Sequence, residues 1–238
     1  MKEETGKRGL FSALSELVYP PERRCLACGS GLGAESLDGV LCRGCREGLE
    51  RLQEDFREEE EEAGSLSEWP EGPAYVHCAY PYRGAAVQLV YRLKYDRVRR
   101  AAIPLCEAMT FLPAEEEELI IPIPTTGRRK RERGFNQAEL LARGLARRFG
   151  MPVDARALIR VGDREPQARL RGEERLRNLA GTFLAGPSVA GKRILLIDDV
   201  YTTGATAREA VRALRAAGCE RVGMLAACRA GLDDDPMQ

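Results

Sequence analysis

The sequence predicts an α/β chain in which a mostly parallel sheet is covered by helices on both faces and preceded by a small cysteine-rich, metal-binding module. Three observations predict it. From Ala74 onward, strand-like apolar runs alternate with helical spacing; the run ILLI at 194–197 is wholly apolar and ends in an acidic pair; and four of the eight cysteines form two Cys-x2-Cys pairs within 21 residues. Strands alternating with helices imply parallel crossovers, and an uninterrupted apolar run implies a strand covered on both sides.

The 238 residues suffice for one ordinary domain and a small appendage. Lys and Arg number 37 and Asp and Glu 37, so bulk charge names neither nucleic acid nor membrane as a partner. No apolar run approaches the ~20 residues that span a bilayer. The charged start MKEETGKRGL lacks a long apolar segment, so the chain is expected to be cytoplasmic and to have no membrane partner. The single histidine, His77, lies in the alternating stretch AYVHCAY and has a structural role in this reading.

Taken in order, LFSALSELVY at 10–19 has helical apolar spacing and stops at Pro20-Pro21, giving a short amphipathic helix for its own protein or a partner. Cys25, Cys28, Cys42 and Cys45 follow with the spacing Cys-x2-Cys-x13-Cys-x2-Cys. Four thiolates in two pairs close a tetrahedral, structural zinc site, with Gly29 and Gly44 allowing tight knuckles. Such modules bind nucleic acid or protein, and Arg23, Arg24, Arg43 and Arg46 surround this one. Seven acids crowd into residues 54–62. That composition buries little, so residues 1–53 form the N-terminal helix and cysteine module, 54–73 an acidic linker with Trp69 near its end, and 74–238 the α/β domain. Within the domain, strands are expected near 74–80, 119–124, 153–159, 182–185, 194–197 and 221–227. Helices are expected near 84–93, 98–111, 135–149, 173–180 and 205–217.

The chemistry is concentrated at 194–206, ILLIDDVYTTGAT. Ligands of open parallel sheets bind beyond the carboxyl ends of the strands, where Asp198 and Asp199 emerge. A carboxylate pair accepts hydrogen bonds from vicinal sugar hydroxyls or helps to hold Mg²⁺. The loop Thr202-Thr203-Gly204-Ala205-Thr206 brings hydroxyls and free N–H groups to a helix N-terminus, which favours a phosphate. A diol clamp beside a phosphate cradle suits a phosphorylated ribose.

Two further stretches are open to more than one reading. TTGRRKRERG places Arg128, Arg129, Lys130, Arg131 and Arg133 directly after a buried strand. It is a donor loop for a leaving pyrophosphate, a solvated basic loop, or a nucleic-acid patch. Residues 162–178, GDREPQARLRGEERLRN, form a long polar excursion between strands, either a lid that excludes water or a plain surface loop.

The stretch 194–206 resembles the PRPP-binding motif of type I phosphoribosyltransferases. Together with PIP at 122–124, RKRERGFNQAELLA at 129–142, Pro166-Gln167, Arg175-Leu176-Arg177-Asn178, LKY at 93–95 and the cysteine module, it resembles the ComF family, over about Cys25 to Cys228. The resemblance implies a zinc-ribbon-like module ahead of a type I phosphoribosyltransferase fold, an association with competence for DNA uptake, and Mg²⁺-dependent phosphoribosyl (pentosyl) transfer from PRPP to an unknown acceptor. It places the ribose clamp, read as catalytic, on Asp198 and Asp199 and the phosphate loop on Thr202, Thr203, Gly204, Ala205 and Thr206. Arg129, Arg131, Arg133 and Gln137 fall among the PRPP-binding positions, and Gln167, Arg175 and Asn178 on the mobile loop. Arg164 stands where the family often has Thr, and Asp96-Arg97-Val98 where it often has Gly. The alternative is a PRPP or nucleotide sensor, or a nucleic-acid accessory protein, that keeps the fold without turnover. Candidate partners are PRPP, single-stranded DNA or a competence-machinery protein, and a second copy of the chain.

Overall fold

The computed structural model describes residues 23–33, 36, 39–63, 71–110, 116–161 and 181–231. Its centre is a four-stranded sheet, all ladders parallel, built from β1 (Val76–Pro81), β2 (Leu119–Pro122), β5 (Arg193–Tyr201) and β6 (Arg221–Arg229) in the order β1-β6-β5-β2. A separate antiparallel ribbon pairs β3 (Leu158–Arg160) with β4 (Phe183–Ala185). The strand expected near 153–159 is thus mostly displaced: Val153 makes only an isolated bridge to Ile120, and regular pairing begins at Leu158.

The apolar run of β5 is buried on both sides because its residues alternate between two cores. Leu195 and Ile197 face the helices α2 (Gly84–Lys94), α3 (Ala102–Met109) and α5 (Gln137–Phe149) through Leu89, Leu93, Leu105 and Leu141. Ile194 and Leu196 face α6 (Ala205–Ala216) and the ribbon through Val211, Leu214, Leu158 and Phe183. This is the covered parallel sheet that continuous apolar strands require.

One element differs from expectation, and the acidic stretch takes the helical start that was open to it. Residues 127–133 are not a loop but the short helix α4 (Gly127–Arg133), started by the Thr126 hydroxyl accepting the Arg129 N–H at 3.2 Å and ended by Gly134 at φ 80°. The acidic stretch is helical as far as Ala63, continuing α1 (Arg43–Ala63). Leu49 and Phe56 of α1 belong to different cores, so the helix crosses the β1 edge of the sheet and covers it. The expected helices at 10–19 and 173–180, and Trp69, lie outside the described residues. Among the described residues no helix is long and apolar enough to cross a membrane.

Gly223 in β6 sits under the ring of Tyr75, which is 4% exposed and covered in turn by the Arg221 guanidinium at 5.6 Å. A Cβ there would run into the ring. Gly223→Ala should therefore destabilise the fold by about 1–3 kcal/mol, seen as a lowered midpoint in thermal unfolding; an unchanged midpoint would show that Tyr75 moves freely.

Candidate functional site

Register decides where the acidic pair sits. β2 ends at Pro122, opposite Ile197, and Ile123 donates a last N–H to the Ile197 carbonyl at 2.9 Å. β5 continues beside β6 through Val200 and Tyr201. Asp198 and Asp199 therefore lie inside a strand that has lost its neighbour on one side, not beyond its end as the sequence suggests. A cavity of about 370 Å³ opens in the place β2 vacates, lined by both aspartates and by Lys94, Arg129, Arg133, Gln137, Arg160 and Thr202 among others.

Strand alternation separates the two carboxylates. Asp199, 8% exposed, shares parity with Leu195 and Ile197 and meets Lys94 Nζ from the end of α2 at 3.2 Å. Burial works against the Lys94 charge, but Asp199, Tyr82 and Asp198 outweigh it and lift the amine above the usual lysine range. Asp198 accepts the Asp199 N–H at 2.8 Å. Burial, reinforced by the Asp199 charge, pushes its carboxyl up to about 7, while that N–H, Lys94 and Arg160 pull the other way.

After Tyr201 the chain turns through Thr202 and Thr203 to Gly204, whose φ of 71° is left-handed and whose Cβ, if present, would strike the Tyr201 hydroxyl. No side chain caps α6, which starts at Ala205. The Thr203 hydroxyl oxygen is buried without a hydrogen-bond partner among the described residues. Orphan N–H groups and an orphan hydroxyl at one helix start fit an anion. Thr202 lines the cavity, while Gly204, Ala205 and Thr206 form the turn and first residues of the helix.

The element RGFNQ joins two helices. Gly134 closes α4; Asn136, before the first residue of α5, donates through Nδ2 to the Ile123 carbonyl at 2.9 Å and so ties α5 to the end of β2. Gln137 Oε1 accepts from Arg133 at 3.1 Å, leaving Gln137 Nε2 buried without a partner. Arg129 and Arg133 line the cavity, whereas Arg131 is exposed and lines none of it. Gln167, Arg175 and Asn178 lie outside the described residues. Sequence reasoning did not single out Lys94, Tyr82, Tyr95 or Arg160 as site residues. Lys94 lies within LKY, whereas Arg160 reaches the cavity from the ribbon, with no local motif to announce it.

The four cysteines gather as expected. Their Sγ atoms all lie within 4.8 Å of one another, and Cys28 and Cys42 are 3.7 Å apart. A tetrahedral Zn²⁺ with Zn–S of about 2.3 Å requires edges of about 3.8 Å, so this donor set fits zinc. The first pair closes on a turn in which the Gly29 N–H donates to the Cys25 carbonyl at 2.9 Å, with Gly29 at φ 77°. Gly44, by contrast, is inside α1, so the second pair closes on the first helical turn and not on a glycine knuckle.

Residues 136–236 match the phosphoribosyl transferase domain family. The chain is 28% identical to the competence protein ComFC of Bacillus subtilis over 209 residues, 83% of this chain and 80% of that protein. The chain is similar to competence proteins of the ComF type and carries a match to the phosphoribosyl transferase domain. It is also 32% identical to the DNA utilization protein YhgH of Salmonella typhi over 151 residues, 59% of this chain and 66% of YhgH, just short of two thirds of that relative's length. With the competence protein F of Haemophilus influenzae it shares 35% identity over 48% of this chain and 51% of that protein. As in the expected family architecture, a cysteine cluster able to hold zinc precedes a mostly parallel α/β domain.

Two measurements follow. Purified protein should carry about one zinc per chain, and Cys28→Ser or Cys42→Ser should lower that content and the melting temperature together; full-length protein free of tightly bound metal under reducing conditions would refute the assignment. For Asp198, the folded value near 7 lies above the ordinary 3.8. Its contribution to stability is therefore fully present below about pH 4 and lost as pH rises through about 7. Asp198→Asn should remove this component, worth on the order of a few kcal/mol, so that the ligand-free variant gains on the parent between pH 4 and 7. Parallel stability profiles would refute it.

Proposed function

We propose that the chain binds PRPP in this cavity and transfers its phosphoribosyl group to an acceptor with release of pyrophosphate. The observation that supports it is the convergence, at one end of one sheet, of a carboxylate pair, an uncapped helix start and a cluster of cations. In this reading Asp198 and Asp199 accept hydrogen bonds from the ribose hydroxyls. The 5′-phosphate lies on the Thr202–Thr206 turn, where Thr203 supplies its unused hydroxyl. The pyrophosphate lies against Arg129, Arg133 and Lys94, whose charge stabilises the leaving group as the anomeric C–O bond breaks and its electron pair departs. Arg131, exposed outside the cavity, is left out of this assignment.

The adjacent carboxylates are hard oxygen donors of the kind that hold Mg²⁺ together with substrate oxygens, and the bound ion would neutralise pyrophosphate charge. Lys94 has a separate task. Paired with Asp199 before substrate arrives, it keeps a buried carboxylate from being unpaired, and pyrophosphate offers it an alternative anion. A second reading, a PRPP sensor or accessory protein without turnover, draws on one observation: among the described residues the lining contains no imidazole and no carboxylate besides the clamp pair, so none of them stands as a separate general base. The relatives' names tie them to competence and DNA utilization, and we place this chain in the same setting.

PRPP with Mg²⁺ should raise the melting temperature of the parent protein. The double variant Asp198→Asn, Asp199→Asn should lose at least tenfold in PRPP affinity, since each charged hydrogen bond is worth about 1.5–3 kcal/mol, with zinc content unchanged. Normal PRPP binding by that variant would show that the site is misplaced. Pyrophosphate release on adding bases or amines selects the transferase over the sensor.

A further inference from the structure

A second cavity, larger than the first at about 500 Å³, opens between α3 and α5 over a floor of Ala102, Ile103, Cys106, Leu140 and Gly144. Gly144 holds the two helices in contact there, since a Cβ at that position would run into the Cys106 sulfur. The floor is therefore set by helix packing. Ala102, Cys106 and Gly144 project little, which leaves a shallow seat suited to a flat ring, and Ile103 is 40% exposed. Three arginines and one acid complete the lining. Two of these four are already engaged: the Arg99 guanidinium lies 4.9 Å from the Phe135 ring, and Glu107 pairs with Arg46 at 3.3 Å. Arg147 and Arg148, in the last turn of α5, make no hydrogen bond or ion pair among the described residues. The Arg147 charge is felt at the floor, where it works against the burial that pushes the Cys106 thiol up to about 12. Such a thiol stays protonated at neutral pH and offers the arginines no counter-charge.

We propose that this cavity binds a small amphiphilic anion, a flat apolar body carrying a carboxylate, with the body on the α3–α5 floor and the carboxylate on Arg147 and Arg148. A guanidinium fork matches a carboxylate through two parallel hydrogen bonds. Cavities of about 300–1,000 Å³ with apolar walls and a few polar groups are the usual form of small-molecule sites. A second copy of the chain fits less well, because a two-fold contact here would bring two pairs of arginines together. A protein partner also fits less well: the neighbouring face of α5 carries the Glu139–Arg143 ion pair at 2.8 Å, so the apolar surface does not extend along that helix into an interface core. This cavity shares no lining residue with the one that holds Asp198 and Asp199, and the inference does not depend on what that cavity binds.

The test uses the full zinc-loaded chain and titrates it with naphthoate by isothermal calorimetry, with the uncharged naphthalenemethanol as the comparison ligand. The parent should bind naphthoate saturably and the alcohol about tenfold more weakly, in keeping with the loss of a charged hydrogen bond. The combined variant Arg147→Ala, Arg148→Ala should lose naphthoate affinity by about the same factor while binding the alcohol like the parent. Ile103→Asp, which sets a carboxylate at the mouth, should weaken naphthoate more than the alcohol. All the replaced side chains are exposed, so the melting temperature and zinc content of both variants should stay parental. The inference is overturned if the parent shows no saturable naphthoate binding, if the alcohol binds as tightly as naphthoate, or if the double arginine variant binds naphthoate as the parent does. It is equally overturned if binding survives that variant and disappears with Arg129→Ala, Arg133→Ala, which would assign the anion to the first cavity.

Discussion

The unequal lengths of β2 and β5 are the constraint on which the candidate site depends. β5 is held by parallel ladders on both sides only as far as Ile197. Beyond that point β6 alone supports it, and the prolines at 122 and 124 end the other ladder because proline has no N–H to give. The strand thus keeps extended geometry while one flank opens. Its alternation then sends Asp199 towards the α2 side, where Lys94 meets it, and Asp198 towards the opposite side, into the field of Arg160. A carboxylate pair presented on both sides of a fixed strand needs no flexible loop to place it, which is the preorganisation a diol or metal-bearing ligand demands.

The cysteine module is bound into the same frame. Cys25, Val40 and Leu41 belong to the core cluster that contains Leu89, Leu93 and Leu105. Arg92 of α2 donates to the Leu26 carbonyl at 3.3 Å, and Arg100 donates to the Gly39 carbonyl at 2.7 Å. Arg46, one of the arginines flanking the cysteines, pairs with Glu107 of α3 at 3.3 Å. α2 is therefore packed on one side by the metal module and ends, on the other, in the lysine that faces Asp199. Whatever stabilises the four-thiolate cluster also supports the helix that carries Lys94, because the two share a continuous apolar contact.

Electrostatics follows from packing and not from composition. Basic and acidic residues cancel over the chain, yet Lys94, Arg129, Arg133 and Arg160 surround two aspartates in one cavity. Two of these cations stand on helix ends. Lys94 closes α2 and Arg133 closes α4, where the carbonyl ends of the helices favour positive charge. Glu132 and Glu139 pair with Arg128 and Arg143 along helix surfaces, so those acids offset charge locally without entering the first cavity.

The sequence by itself determined the parallel α/β class, the four-cysteine cluster and the acidic pair with its glycine turn, because each is written in local spacing, while Arg129, Arg133 and Gln137, picked out by the basic stretch and the family resemblance, line the cavity. A wholly apolar run this short, bounded by an acidic pair and a turn, suits a covered strand, paired Cys-x2-Cys closes economically on one centre, and Gly204 occupies a backbone angle that other residues resist. Tertiary structure alone decided the rest. That Arg131 faces away from the cavity depends on how the short helix α4 is seated beside it, although the helix itself is set by a local cap and ion pair, Thr126 to Arg129 and Arg128 to Glu132. That Asp198 and Asp199 sit inside a strand depends on where its neighbour stops, and that Lys94 and Arg160 join them depends on α2 and the β3–β4 ribbon converging from distant parts of the chain. Those are facts of register and packing, and no window of sequence contains both partners of such a contact.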